Sequence, residues 1–179
     1  GNGDPLRTAM IKVQNNFDEL YTLNPDTITQ LKNINGWAFY VENQSPTSIQ
    51  TINTVSSKMV IDGVGATSTS AYLPYQIRGI SELWDTVNNK ITPINIGDGY
   101  TIRVDFEVTS KTGAPNDILF QLDIGGGVAP SNDIISRTIS TSKAPPFSVS
   151  IGLPLFSLAT FKTNGGQIFL TTDSGTVEI

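Results

Sequence analysis

The apolar residues near the start of the chain recur at helical spacing. The members of this stripe step along the chain by four, three, four and three positions, and they are Leu6, Met10, Val13, Phe17 and Leu20. Such spacing is typical of a coiled-coil seam, although it continues for only about two heptads. Asp4 is a suitable N-cap and Pro5 a suitable first helical residue, so a helix is predicted over residues 4–22. Because a helix this short is marginal alone in water, we expect it to dock on its own domain, on copies of itself or on a larger particle.

A second cap-then-proline signal follows at Asn24-Pro25. Ile28 and Leu31 form a short apolar stripe after it, and Gly36 is a suitable helix end. These features predict a second helical segment over residues 25–34. A loop containing a single helical turn explains the same residues equally well.

From Trp37 onwards the period changes to two, which is the period of a β-strand. The clearest case runs from Tyr100 to Val108, where apolar residues at even positions alternate with Thr101, Arg103, Asp105 and Glu107. Since one face of this strand is apolar and the other polar, it belongs to an antiparallel sheet with one wet face.

Weaker patterns predict further strands at residues 37–41, 58–61, 72–80, 81–86, 90–94, 118–124, 134–141, 147–153, 158–162, 167–172 and from Val177 onwards. A polar loop is expected at 66–70, and Pro74 favours an edge or a break. Val87-Asn88-Asn89 and Asn164-Gly165 are predicted hairpin turns. Short strands with turns every ~8–15 residues are typical of sandwiches and barrels. The predicted fold is therefore mainly β: an antiparallel β-sandwich of the jelly-roll type at residues 36–179, preceded by a short N-terminal helical segment at residues 1–35.

Composition narrows the possible functions. The chain has 179 residues with 15% charged residues, a net charge of −5, no Cys and no His. It therefore lacks disulfide and thiolate chemistry, the commonest general base and the commonest metal ligand, and we expect no cofactor. The eleven Lys and Arg residues are scattered singly, so a nucleic-acid partner is not expected. No apolar run approaches the ~20 residues that span a bilayer, so membrane insertion is not expected, and no signal peptide is visible. Because the first residue is Gly and the last strand is cut short, we expect residues to be missing at both ends.

Arg103, Asp105 and Glu107 project from one face of the clearest strand and raise the possibility of acid–base chemistry. A glycosidase needs two carboxylates about 5–9.5 Å apart, one of them with a raised pKa. A solvated face with a cross-strand charge pair explains the same pattern, and it is favoured because any half-buried strand alternates in this way.

Several Asp and Asn residues fall in or beside predicted loops, and calcium prefers such oxygen ligands. They are Asp62, Asp98, Asp117, Asp123, Asn132 and Asp133. Their spacing is not that of a calcium loop, so turn formation is favoured over metal binding. Gly125-Gly126-Gly127 lacks the Lys, the Ser or Thr and the helix of a phosphate loop, which favours backbone freedom at a strand end.

Trp84 and Tyr72 are large aromatic residues near predicted strand ends. Exposed aromatics mark binding surfaces, whereas buried ones fill cores and subunit interfaces. Burial is the favoured interpretation for both residues.

The N-terminal stripe also carries a resemblance. The segment Gly3–Tyr21, GDPLRTAMIKVQNNFDELY, resembles a segment near the start of many tailed-bacteriophage fibre, spike and decoration proteins. Met10 stands where that pattern usually has Phe, and Gln14 where it usually has Asn, and both keep the size class. The resemblance implies a component of the virion.

A second resemblance involves residues 91–93 and 97–106. The sequences of these segments look like those of strands in phage fibre-tip domains. Those domains have a jelly roll similar to the tumour-necrosis-factor and complement globular heads. The resemblance implies three subunits around an axis, where aromatic and aliphatic side chains from one sheet meet.

The expected function is that of a bacteriophage virion structural protein, a homotrimeric fibre or spike or a capsid-decoration component, and not an enzyme. Its partners would be its own copies, other capsid or tail proteins and a host surface glycan or protein. The expected assembly residues are the helix stripe Leu6, Met10, Val13, Phe17 and Leu20. Alternatives are a carbohydrate-binding module or lectin on a β-sandwich, with Trp84 in its platform and calcium as a candidate ligand, and a glycoside hydrolase using Asp105. The loops at 62–70, 111–117 and 125–133 are candidate contact sites because loops carry recognition.

Overall fold

The computed structural model describes residues 8–16, 18–19, 36–42, 49–64, 67–73 and 82–179. This part of the chain is mainly β, with several antiparallel sheets. It divides into two units. One unit contains the N-terminal helical residues together with Trp37, Tyr72 and Leu73. The other unit contains the described residues from Ala38 to Ala71 and from Glu82 to Ile179. The second unit is called the β head below.

The predicted N-terminal helix is confirmed where the structure describes it. Residues 8–16 form a helix, here called α1, and residues 18–19 are also helical. Met10 is 67% exposed and Val13 is 54% exposed on this helix. The other members of the predicted stripe, Leu6, Phe17 and Leu20, lie outside the described residues, as does the predicted segment 25–34.

The described strands follow the helix in chain order. They are β1 (Trp37–Phe39), β2 (Thr51–Ile52), β3 (Ser57–Lys58), β4 (Thr69–Tyr72), β5 (Trp84–Asp85), β6 (Lys90–Ile91), β7 (Gly99–Val108), β8 (Ser110–Thr112), β9 (Asp117–Asp123), β10 (Asp133–Ser140), β11 (Phe147–Phe156), β12 (Gln167–Thr172) and β13 (Thr176–Glu178). A short helix, α2 (Ala159–Asn164), lies between β11 and β12.

Strand pairing in the β head is nested. β2 pairs with β13, β3 with β12, β7 with β11, and β9 with β10, and every one of these pairs is antiparallel. One sheet has the order β10-β9-β12-β3. Two further groups have the orders β2-β13-β8 and β7-β11. β8 follows β7 after Thr109, whose N–H donates to the carbonyl of Glu178. The earliest strands of the head therefore pair with the latest ones.

Alternation along the strands produces one hydrophobic core. In β7 the burial pattern alternates as predicted, with Val104 and Val108 buried and the polar residues between them exposed. Buried apolar side chains of β7, β9, β11, β12 and α2 belong to one cluster, which includes Val104, Val108, Ile118, Phe120, Leu122, Ile151, Leu153, Phe161, Ile168 and Leu170. β7 and β11 thus contribute one face to the core and leave the other face outside, whereas β12 is buried on both faces.

Two predicted elements are wrong. Residues 158–162 form no strand: the chain is helical over Ala159–Asn164, because a single turn of helix buries Phe161 while leaving Leu158 exposed. Gly165 has φ +78° and ends this helix. The Asn164-Gly165 dipeptide therefore lies at a helix C-terminus and does not form a hairpin turn. The predicted loop at 66–70 ends early, since Thr69 and Ser70 belong to β4.

The other strand predictions within the described residues are confirmed with adjusted limits, whereas the predicted strand at 72–80 lies outside the described residues except for Tyr72 and Leu73. The hairpin around Val87-Asn88-Asn89 is present as β5 and β6, whose residues Trp84 and Ile91 face each other. The predicted strand at 58–61 is shorter than expected, since β3 covers only Ser57–Lys58.

We predict that Phe120→Ala destabilises the β head by about 3–5 kcal/mol. Phe120 is fully buried in the centre of the core, and its truncation leaves a cavity. Urea unfolding followed by tryptophan fluorescence measures the change. As a control, Val55→Ala alters a side chain that is 70% exposed and should change stability by less than about 0.5 kcal/mol. Equal losses in the two variants would contradict this picture of the core.

Candidate functional site

The outer face of the β7–β11 pair carries the charged residues that the sequence singles out. Arg103 Nε lies 2.9 Å from Asp105 and 3.2 Å from Ser150 Oγ on the neighbouring strand. The hydrogen bond from Ser150 lowers the pKa of Asp105 most; slight desolvation opposes this, and the guanidinium of Arg103 lowers the pKa further. The Arg103 and Asp105 side chains are 73% and 49% exposed, so this is a solvated ion pair.

This arrangement does not suit acid catalysis by Asp105. A glycosidase acid requires a raised pKa, whereas the pKa of Asp105 is lowered. Glu107 lies on the same face, opposite Ser148 in the register. The wet-face interpretation therefore describes these residues best, with the difference that the ion pair lies within β7 and its cross-strand partner is a serine.

Asp123 organises the loop between β9 and β10. Its carboxylate is fully buried and accepts hydrogen bonds from the backbone N–H of Gly125 at 2.9 Å, of Ser131 at 2.8 Å and of Asn132. Asn164 of α2 donates to the carbonyl of Ile124 at 2.8 Å. The backbone of this loop is thus fixed by the buried carboxylate of Asp123 and by the side-chain amide of Asn164.

A second clamp holds the glycine-rich part of the same loop. In the amide orientation that satisfies both of its ends, Gln167 donates to the carbonyl of Gly127 at 2.8 Å and accepts from Lys58 Nζ at 2.6 Å. Val128 follows Gly127 and is 94% exposed. Residues 124–132, here called the Asp123 loop, therefore present an uncharged apolar side chain on a preorganised backbone, which suits contact with another molecule.

Other aspartates also stabilise turns, as the sequence suggests. Asp62 accepts from the N–H of Val64 at 2.8 Å, and Asp98 accepts from the N–H of Asn95 at 3.1 Å. Asp173 accepts from the N–H groups of Asn116 and Asp117 at 3.0 and 3.2 Å. Turn formation is therefore the function observed for these carboxylates. Within the described ranges, no group of three or more acidic side chains lies together in the arrangement of a metal site.

The two aromatic residues that the sequence singles out have different environments. Trp84 is only 5% exposed and its indole N–H donates to the carbonyl of Ile61 at 2.9 Å, which confirms burial. Tyr72 is 60% exposed, so it does not lie in the core, and its burial at a subunit interface stays a prediction. It stacks on Trp37 with ring centroids 4.7 Å apart and an interplanar angle of 16°, and Trp37 is itself 54% exposed. The exposed aromatic pair is therefore Trp37–Tyr72, and sequence reasoning missed the contribution of Trp37 because its period of two does not distinguish an inner from an outer face.

Comparisons with known proteins add no family. No protein-family model matches the chain, and no curated protein matches it significantly. Among the helical residues that the structure describes, none belongs to a helix long and apolar enough to cross a bilayer. We therefore infer the function of this chain from its own residues and their geometry.

We predict that acid removes part of the stability of the 116–117 turn. The hydrogen bond from the Asp117 N–H lowers the pKa of Asp173 most, against a smaller opposing effect of desolvation, and the N–H and side chain of Asn116 lower it further. A lowered pKa means that the fold favours the carboxylate. This stabilisation is present above the unfolded pKa of about 3.9 and is lost as the pH falls through the lower folded value.

The measurement is urea unfolding of the wild-type chain and of Asp173→Asn, at pH 7 and at about pH 2. The variant should be the less stable at pH 7, and the difference should shrink at acid pH, because protonation removes the charge of Asp173. A difference of the same size at both pH values would show that the charge of Asp173 is irrelevant.

Proposed function

We propose that this chain is a structural protein of a bacteriophage virion, a homotrimeric fibre or spike or a capsid-decoration component. In this proposal the N-terminal helix anchors the protein, and a jelly-roll β head projects from the assembly. The proposed partners are copies of the chain, other capsid or tail proteins and a glycan or protein of the host surface. The resemblance of Gly3–Tyr21 to the N-terminal segment of phage fibre, spike and decoration proteins supports the virion location.

Nested strand pairing supports the jelly roll. A jelly roll arises when a long hairpin folds over, so that its first strand pairs with its last and the inner strands pair in turn. The pairs β2–β13, β3–β12, β7–β11 and β9–β10 follow this order. The sheet β10-β9-β12-β3 and the strands of the β2-β13-β8 and β7-β11 groups supply side chains to one core, as two layers of a sandwich would.

Exposure of Met10 and Val13, the two described members of the helix stripe, is the observation that carries the assembly part of the proposal. Met10 and Val13 are separated by three positions on one face of α1, and both are more than half exposed. An isolated helix of this length gains too little from its own hydrogen bonds to be stable in water, so it requires a partner surface. Copies of the same helix supply such a surface through the seam that includes these residues.

A non-enzymatic role belongs to the same proposal. The lowered pKa of Asp105 and the use of aspartates in turns support mechanical work by the head rather than proton transfer. Among the candidate contact loops, the Asp123 loop has the strongest support, since its backbone is held by buried groups and its apolar tip is exposed. We propose that it contacts the host or a neighbouring virion protein.

The test is the mass of the full chain in solution and its response to Val13→Asp. We expect the wild-type chain to sediment as a trimer and the variant to dissociate at low micromolar concentration, because a carboxylate in the seam is desolvated without a partner. Asn15→Asp is the matched control: it adds the same charge at an exposed position of the same helix outside the predicted stripe. A wild-type monomer, or equal dissociation of both variants, would contradict the anchor.

The second candidate function is a carbohydrate-binding module, and the Trp37–Tyr72 pair is the observation that favours it. Exposed aromatic rings provide flat apolar surfaces against which the C–H faces of sugar rings can pack. Trp84, the platform residue of this alternative, is buried and hydrogen-bonded within the head, so the candidate platform moves to Trp37 and Tyr72.

For this candidate we predict that glycan-array binding is reduced at least about tenfold by Trp37→Ala, because the variant loses the larger ring of the pair. Phe156→Ala is the control, since it removes an aromatic ring that is 74% exposed on the β head. Binding that survives Trp37→Ala would remove this platform from consideration.

A further inference from the structure

Three exposed apolar side chains lie near the ends of β7 and β11. Ile96 precedes β7 and is 64% exposed, Phe156 ends β11 and is 74% exposed, and Leu158 precedes α2 and is 67% exposed. We call these three residues the apolar corner. Backbone hydrogen bonds join the segments of the β head to which these three residues belong.

The backbone of the apolar corner is tightly held. The N–H of Gly97 donates to the carbonyl of Ser157 at 2.7 Å, and the N–H of Ser157 donates to the carbonyl of Asp98 at 2.9 Å. Phe156 faces Gly99 across the β7–β11 pair, and its ring lies 3.5 Å from the position that a Cβ of Gly99 would occupy. The phenylalanine ring therefore lies against a residue without a side chain and keeps most of its surface in solvent.

Charged groups near the corner are turned towards the backbone. Lys162 Nζ donates to the carbonyl of Pro93 at 2.9 Å. Asp98 accepts from the N–H and the side-chain amide of Asn95 at 3.1 and 3.3 Å. Since these groups already have backbone and amide partners, the corner presents mainly apolar surface, which fits an apolar protein surface better than a phosphate or a charged saccharide.

The surface that continues from the corner is compatible with a second copy of the chain. Along the outer face of the same strand pair lie Arg103 and Asp105, which carry opposite charges 2.9 Å apart, and Glu107 lies two positions beyond Asp105 on the same face. A face that displays both signs can exchange ion-pair partners with its own copy, so that Arg103 of one copy meets a carboxylate of the other. The apolar corner and this mixed-charge stretch therefore form one self-compatible surface.

We propose that the apolar corner is a contact between the β heads of two copies of this chain within one assembly. Three side chains bury far less than the roughly 1,000 Å² that an independent interface needs, so the corner would not hold two free heads together. Helices that gather the copies raise the local concentration of heads to about the millimolar range, where a small apolar contact is sufficient. The inference thus rests on the proposed assembly and adds the place where the heads meet.

Cysteine cross-linking of the full chain tests this contact, because the natural sequence has no Cys. Leu158→Cys places one thiol in the apolar corner, and Phe156→Cys is a second variant at the same surface. Val55→Cys is the matched control, since Val55 is 70% exposed in the turn between β2 and β3. We expect mild oxidation at low micromolar concentration to give disulfide-linked dimers at least about tenfold faster for the corner variants than for the control.

The outcomes separate this inference from the proposed function. An assembly by sedimentation, with corner variants that cross-link no faster than Val55→Cys, overturns the inference and leaves the anchor intact. A chain that sediments as a monomer overturns both. Rapid cross-linking that is abolished by adding Val13→Asp supports the dependence of the head contact on the helices.

Discussion

The hydrophobic core of the β head is the constraint on which the outer surfaces of its strands depend. In a strand, successive side chains point to opposite faces, so burying Val104 and Val108 of β7 forces Arg103 and Asp105 outwards. The same rule in β11 buries Leu153 and Leu155 and leaves Phe156 exposed. A slip of one residue in the β7–β11 register would exchange these faces, which makes the position of each outer residue a consequence of core packing.

The charged residues of this chain act largely on its own backbone. Asp123 binds three N–H groups of one loop, Lys162 binds a carbonyl beside β6, and Lys111 binds the carbonyls of Thr141 and Lys143 before β11. Such hydrogen bonds order the loops, and they occupy charged side chains that would otherwise be able to bind an ionic ligand. This use of charge explains how a chain with few charged residues presents apolar loop tips on an ordered surface, an arrangement that suits contacts between proteins.

The sequence predicts the long strands well because their alternation is a local property. Residues 100–108, 118–124 and 147–153 need only a period of two, and all of them except Ile124 lie in observed strands. It fails at 158–162, where the burial of Phe161 alone decides between helix and strand. That choice depends on the core into which the ring fits, and no local pattern contains this information.

At the candidate sites, contacts between neighbouring residues are likewise predictable from the sequence, and contacts between distant residues are not. Turn formation by Asp62 and Asp98 is predictable because an aspartate acts on neighbouring residues. The clamp on Gly127 is not, because Gln167 and Lys58 come from distant parts of the chain. Neither is the Trp37–Tyr72 stack, which requires the pairing of β1 with β4.

We propose that the helix stripe, exposed at Met10 and Val13, gathers copies of the chain and that the β head works within such an assembly. Native mass spectrometry of the full chain at low micromolar concentration measures the number of copies. We expect a dominant species of three times the 19.3 kDa of one chain. A dominant species with the mass of a single chain would contradict it.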